Sequence, residues 1–169
     1  MSVINSREAA REEVARSFIV ASMREADLTE VVEIEEITGL NRWGYDAYRR
    51  ELLKNPNSIM LVARSKDSYV SGRGVIGFFA GWTVEDELHV NNVACHPEFR
   101  RIHVGRRLME EAAREAAMRG VTFVLLEVRS SNEAAQSLYR KLGYRFVGRR
   151  RDYYRGPTED AFVMKLHLR

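Results

Sequence analysis

A seven-residue run, Thr122 to Val128, is apolar or β-branched at every position but one. A run of that length without alternation marks a strand covered on both faces, at the centre of a sheet with helices on either side. Its flanks agree. Gly120 closes a helix before it, and Ser131-Asn132 supplies the capping side chains for a helix after it. The exception inside the run is Glu127, a carboxylate that is costly in such a place unless it is solvated or employed.

The rest of the chain is read outward from that strand. Phe18 to Met23 reads as a strand. Asp27 is placed to cap a helix that carries Leu28, Val31, Val32, Ile34 and Ile37 and stops at Gly39. A second helix spans Tyr45 to Lys54, ahead of Asn55-Pro56. Ile59 to Arg64 and Val75 to Thr83 read as strands separated by the Ser/Gly/Arg stretch 65–74, and Glu87 to Cys95 as another, broken by His96-Pro97. A long helix is expected over Val104 to Met118 and a shorter one up to Leu142, before Gly143. Tyr144–Gly148 and Ala161–Leu168 then close the chain as strands joined by a loop over Arg149–Asp160. The expected class is α/β (α+β): a mixed, mostly antiparallel central sheet of about seven strands flanked by about four helices. Residues 18–169 are expected to form a single domain. Residues 1–17, rich in Glu, Arg and Ala, read as an extension, helical or disordered, that frays or packs on another copy.

Composition narrows the function classes. The chain has 169 residues, 45% hydrophobic and 30% charged, enough to bury a core and too apolar for a disordered polymer. No apolar run approaches the ~20 residues that cross a bilayer, and the first residues are too polar for a secretory signal. One cysteine, Cys95, excludes an internal disulfide framework and fits a reducing cytoplasm. The net charge of +3 is mild, but arginine is clustered at Arg100-Arg101, Arg106-Arg107 and Arg149-Arg150-Arg151. Such clusters suit a polyanionic ligand or form a solvated basic face. They lack interleaved stacking aromatics, so no specific nucleic-acid binding is expected.

Three places carry candidate chemistry. At Arg100-Arg101-Ile102-His103-Val104-Gly105 a strand turns into a long helix whose free N–H groups and partial positive charge suit a pyrophosphate, with Arg106 beside it. The same residues also read as an ordinary helix start. Glu127 reads as a working acid or as a structural one paired with an arginine such as Arg129. Tyr139 reads as a phenol brought back over the neighbouring strand, or as a packed aromatic that must still satisfy its hydroxyl. Cys95 has no His/Asp partner at a suitable spacing, and His89, His96, His103 and His167 lack metal-site spacing, so neither a nucleophilic cysteine nor a metal is expected.

Taken in order, these parts resemble the GNAT superfamily of N-acetyltransferases. Arg100 to Gly105 resembles its pyrophosphate loop, Gln/Arg-x-x-Gly-x-Gly/Ala. Leu126-Glu127-Val128-Arg129-Ser130-Ser131-Asn132 with Leu138-Tyr139-Arg140-Lys141-Leu142-Gly143-Tyr144 resembles the bacterial ribosomal-protein-alanine N-acetyltransferases of the RimI type. Arg150 to Tyr154 and Glu159 to Met164 also match that subfamily, and Phe18 to Leu168 is the extent of the likeness. The resemblance implies acetyl-CoA as cofactor, coenzyme A as product, and direct transfer in a ternary complex to a protein N-terminus, with a ribosomal protein as the expected acceptor. It implies Glu127 as general base and Tyr139 as general acid. Coenzyme contacts are implied at Val93 and Ala94, at Arg100 to Arg106, at Asn132 and at Tyr139. Glu35, Trp43, Tyr153 and Tyr154 are expected to line the acceptor groove, with Trp43 also readable as a hydrophobic plug. A cytoplasmic monomer or weak homodimer is expected. The chain departs from the pattern at His103, where the loop usually has glycine. A small-molecule amine or a lysine as acceptor, and a non-catalytic acetyl-CoA-binding module, are the alternatives.

Overall fold

The computed structural model describes residues 18–40, 42–66 and 73–168. The expected N-terminal extension, and residues 67–72 of the Ser/Gly/Arg stretch, lie outside them.

Seven strands form one sheet in the order β1-β2-β3-β4-β5-β7-β6: β1 (Phe18–Ser22), β2 (Ser58–Ser65), β3 (Val75–Val84), β4 (Glu87–Cys95), β5 (Phe123–Arg129), β6 (Arg145–Tyr154) and β7 (Glu159–His167). Among the described residues four α-helices accompany it: α1 (Leu28–Thr38), α2 (Gly44–Lys54), α3 (Val104–Met118) and α4 (Glu133–Lys141). Every strand pairing is antiparallel except β4 with β5. The mixed, mostly antiparallel sheet of the sequence reading is what forms.

Two cores sit on opposite faces of the sheet. On one, Val104, Leu108, Met109, Ala112 and Ala116 of α3 and Tyr139 of α4 pack on Leu88, Val90, Val124, Leu126 and Val128. On the other, Leu28, Val31 and Ile34 of α1 and Tyr48 of α2 pack on Met60, Val62, Phe78, Ala80 and Ala94. Gly77 of β3 sets the close approach of α3: a Cβ there would lie 2.8 Å from Val104 Cγ1 and 2.9 Å from the Ala94 carbonyl oxygen. No helix among the described residues is long and apolar enough to cross a membrane.

Two local expectations are corrected. Asp27 does not cap α1 with its side chain. Its carboxylate accepts from the Arg24 N–H at 2.8 Å and takes both guanidinium nitrogens of Arg64, each at 2.8 Å. A charge-assisted bidentate partner 37 residues away outweighs the local cap. The expected loop Arg149–Asp160 is largely strand, because β6 runs on to Tyr154 and only four residues turn into β7. β6 is an edge strand exposed along nearly all its length, so no buried side shows in its sequence pattern.

Candidate active site

The site begins where the sheet splits. β4 and β5 are parallel and in register from Glu87↔Phe123 to Val90↔Leu126, and no further. β4 stays paired with β3 up to Cys95, while β5 stays paired with β7 up to Arg129. A bulge at this level, where Ala80 faces Asn92 and Gly81 faces Val90, leaves Asn91 as the extra residue and turns β4 away. From Asn91 to Cys95 the backbone groups of β4 on the side away from β3 therefore have no strand partner. Val93 turns its backbone groups to that free edge, while those of Ala94, expected to share it, face Phe78 of β3. An unpaired strand edge inside a sheet is a ready site for an extended ligand carrying amides.

α3 aims its N-terminus at the open end of the split. Its first turn is uncapped by any side chain, and His103 occupies the cap position at φ 67°, ψ 13°, the left-handed region. Arg101 has φ 67° as well. The turn thus requires positive φ where the family pattern has glycine, and the chain meets that with histidine at a cost of about 1 kcal/mol. His103→Gly should raise the melting temperature by about 2–4 °C and bind acetyl-CoA at least as tightly. A clear loss of affinity, measured by calorimetry, would show instead that the imidazole touches the coenzyme. Of the surrounding residues, Val104 is buried and Ile102 half-buried. Arg106 pairs with Glu110 at 2.8 Å. Arg107 lies 5.2 Å over the Phe18 ring, and Arg100 and Arg101 are exposed on the turn.

Cys95 ends β4 behind this turn. Burial pushes its thiol up to about 11, against the smaller opposing effects of Arg100 and the Gly105 amide. A thiol that stays protonated at neutral pH is a poor nucleophile, which agrees with the sequence reading.

Glu127 and Tyr139 approach the split from opposite faces. Leu126 and Val128 point into the α3/α4 core, so Glu127 between them points to the other face. There Arg150, not Arg129, is its partner, with Nη2 3.1 Å from Oε1. Arg129 is held by Glu159 at 3.2 Å and lies 4.2 Å over the Tyr154 ring. Tyr139 is buried on the α4 side, its ring 5.7 Å from that of Tyr144. Burial pushes its phenol well above the usual range, with Tyr154 and Cys95 adding to the shift, so it stays protonated at neutral pH. Among the described residues no protein group accepts a hydrogen bond from its hydroxyl. The hydroxyl of Tyr144, whose ring packs against that of Tyr139, is buried and without a partner among the described residues.

Two residues that sequence reading did not single out, Gln136 and Glu159, hold this geometry beside Asn132, the expected cap of α4. Gln136, buried one turn before Tyr139, donates from its amide to the carbonyls of Arg129 at 3.1 Å and Ser130 at 2.9 Å. It ties α4 to the end of β5. Glu159 accepts from the Ser131 N–H at 2.6 Å and the Ser130 hydroxyl at 3.1 Å, and these bonds with Arg129 hold its carboxyl down to about 2. Asn132 caps α4, accepting from the Ala135 N–H at 3.1 Å. A polar residue on the buried stripe of α4 was the signal for Gln136. Glu159 left none, because its partners come from another strand.

The residues expected to line an acceptor groove lie partly on α1 and at the start of α2. Glu35 is 1% exposed. Its Oε1 accepts from the Trp43 N–H and the Tyr48 hydroxyl, both at 2.8 Å, and its Oε2 from the Gly44 N–H at 3.0 Å. It thereby caps α2 from α1. Asn92 donates to the Tyr48 oxygen at 2.8 Å, which extends the chain of bonds to the split strand. Trp43 is half-buried, stacked on Trp82 at 5.7 Å and tilted against Tyr48 at 5.2 Å. On the opposite wall Tyr153 is exposed and Tyr154 half-buried, with their rings perpendicular and 5.2 Å apart. Burial pushes the Tyr154 phenol up to about 12.

A sheet split beside a helix N-terminus, with a buried phenol on one face and a carboxylate on the other, is the arrangement that the resemblance to coenzyme-dependent acetyltransferases implies. The acetyltransferase (GNAT) family profile matches residues 23–144, and the chain belongs to that family. It is 31% identical over 153 residues to the [ribosomal protein bS18]-alanine N-acetyltransferase of Escherichia coli K12, covering 88% of this chain and 97% of that one. It is 34% identical over 148 residues to the N-alpha-acetyltransferase RimI of Mycobacterium tuberculosis, covering 86% and 90%. The crystal structure of the Escherichia coli ribosomal-protein-alanine N-acetyltransferase superposes with a TM-score of 0.77 at 28% identity, over 89% of this chain and 93% of that one. Arabidopsis thaliana NAA60 in complex with acetyl-CoA shares the fold, with a TM-score of 0.78 at 15% identity over 90% and 99%.

Proposed function

We propose that the protein acetylates the N-terminal α-amine of a protein, with a ribosomal protein as the expected acceptor, by direct transfer from acetyl-CoA in a ternary complex. The observation that carries this reading is the split itself. It is a passage through the sheet, with the helix N-terminus and Tyr139 on one face and Glu127 on the other. The relatives named for alanine N-acetylation support the choice of acceptor. We further infer a cytoplasmic protein of one domain, working as a monomer or weak homodimer.

Acetyl-CoA, when bound, supplies an activated acyl carbon and a thiol leaving group. The unpaired edge at Val93, next to Ala94, suits its amide arm, and the turn from Arg100 to Arg106 suits its phosphates. Asn132, already spent on capping α4, holds the rim beside Tyr139. Glu127, acting through water, takes the proton from the acceptor nitrogen. Tyr139 donates its phenolic proton to the departing sulfur. Glu35 shapes the acceptor wall through Trp43 and Tyr48, while Tyr153 and Tyr154 form the other wall. An α-amine of reference pKa about 7.7–8.0 asks less of such a base than a lysine at about 10.4.

Acetyl-CoA should raise the melting temperature, since it binds the folded state alone. Neither a thermal shift nor heat in a calorimetric titration at saturating coenzyme would remove the basis of this assignment.

A further inference from the structure

Glu127 stands in a trough of paired charges, and one of those pairs is its own. The groups that share its face are known from each neighbouring element. Arg129 on β5 is engaged by Glu159 and the Tyr154 ring. His89 on β4 and Lys165 on β7 both reach Glu87, at 3.1 and 3.7 Å. Glu35 and Tyr48, from α1 and α2, are bonded to each other. Tyr154 on β6 stands close enough for Glu127 to oppose its ionisation. Among the described residues, Arg150 is the ion-pair partner of Glu127. The reason is register: Arg150 lies opposite Ala161 on β7, and Glu127 opposite Val163, two residues along on the same face. Behind the guanidinium lies the Tyr153 ring, 5.4 Å from it.

We propose that Arg150 determines specificity by charge: it occupies the carboxylate that would otherwise attract any ammonium, so that the site admits amines in their neutral form. This rests on Glu127 being the base of the proposed reaction. A bare carboxylate at the mouth of the split draws lysine side chains as readily as N-termini. With Arg150 paired to it, a second cation meets a neutral pair and a guanidinium at short range. The neutral fractions of an α-amine and a lysine differ by more than about 100-fold at pH 7.5, from their reference pKa values. Arg150 lets that difference pass into the rate. Its side chain is 56% exposed, so it can swing aside as the neutral amine and its water reach Glu127.

The test compares wild type, Arg150→Gln and Arg150→Lys on two peptides of one sequence. One has a free N-terminus and no lysine; the other is N-blocked with a single internal lysine. Acetylation is followed by mass spectrometry across pH 6.5–9, with thermal melts to establish folding. Arg150→Gln is expected to lower the ratio of kcat/KM for α-amine over lysine by about tenfold or more, and to flatten the rise of the α-amine rate with pH. Arg150→Lys keeps the charge and is expected to keep both. A role in gripping the acceptor chain would weaken both peptides alike. An unchanged ratio in a folded Arg150→Gln protein overturns the inference, as does a fall of equal size in Arg150→Lys. Inactivity of wild type on the free peptide, or full activity of Glu127→Gln, marks failure of the underlying reading instead.

Discussion

Tyr139→Phe should lower kcat by about 100-fold or more, close to 3 kcal/mol of transition-state stabilisation, while stability changes by less than about 1 kcal/mol. The two halves of that expectation have one cause. Tyr139 is 7% exposed, and among the described residues no protein group is bonded to its hydroxyl. Removing it leaves the ring against Tyr144 and orphans no partner, so the folded state loses nothing it had gained. What goes is a protonated phenol held where the sulfur leaves. Steady-state kinetics with a chemical melt on the same preparation checks both halves. An unchanged kcat would make Tyr139 a packing residue.

Glu127→Gln should have its largest effect at low pH. Below the α-amine's reference pKa of about 7.7–8.0 the acceptor is mostly protonated and a base must act. There a loss of about 100-fold is expected, the usual scale for a positioned base. A unit or more above that pKa the amine is already neutral, and the two proteins should converge. The substitution keeps the side chain's size and frees only the half-exposed Arg150, so it should fold as wild type does. Overlapping pH–rate profiles would reject Glu127 as the base.

Much of this was readable where the chemistry is local. β4 over Glu87–Cys95 and α3 over Val104–Met118 fall where pattern, Pro97 and Gly120 put them, and Asn132 caps α4 as its sequence neighbourhood suggests. Helix ends are decided by the residues beside them. What sequence missed was decided across the sheet. Arg64 claims Asp27, Arg150 claims Glu127 and Glu159 pins the β5–α4 turn, each across elements that only the folded chain brings together. The strand at 149–154 was hidden for a related reason. An edge strand with solvent on both sides carries no alternation, and its arginines read as loop. His103 lay between. The departure from glycine was visible, but the need for positive φ at that position was settled by the fold.

The central claim is that an N-terminal amine is the acceptor. It is tested most directly with wild-type protein, acetyl-CoA and one alanine-initiated peptide, offered with its N-terminus free and with it blocked, an internal lysine present in both. Intact-mass and fragment spectra then locate the acetyl group. One acetyl is expected on the α-amine of the free peptide and none on the blocked one at neutral pH. Equal rates on the two forms, or an acetyl found on the lysine, would contradict it.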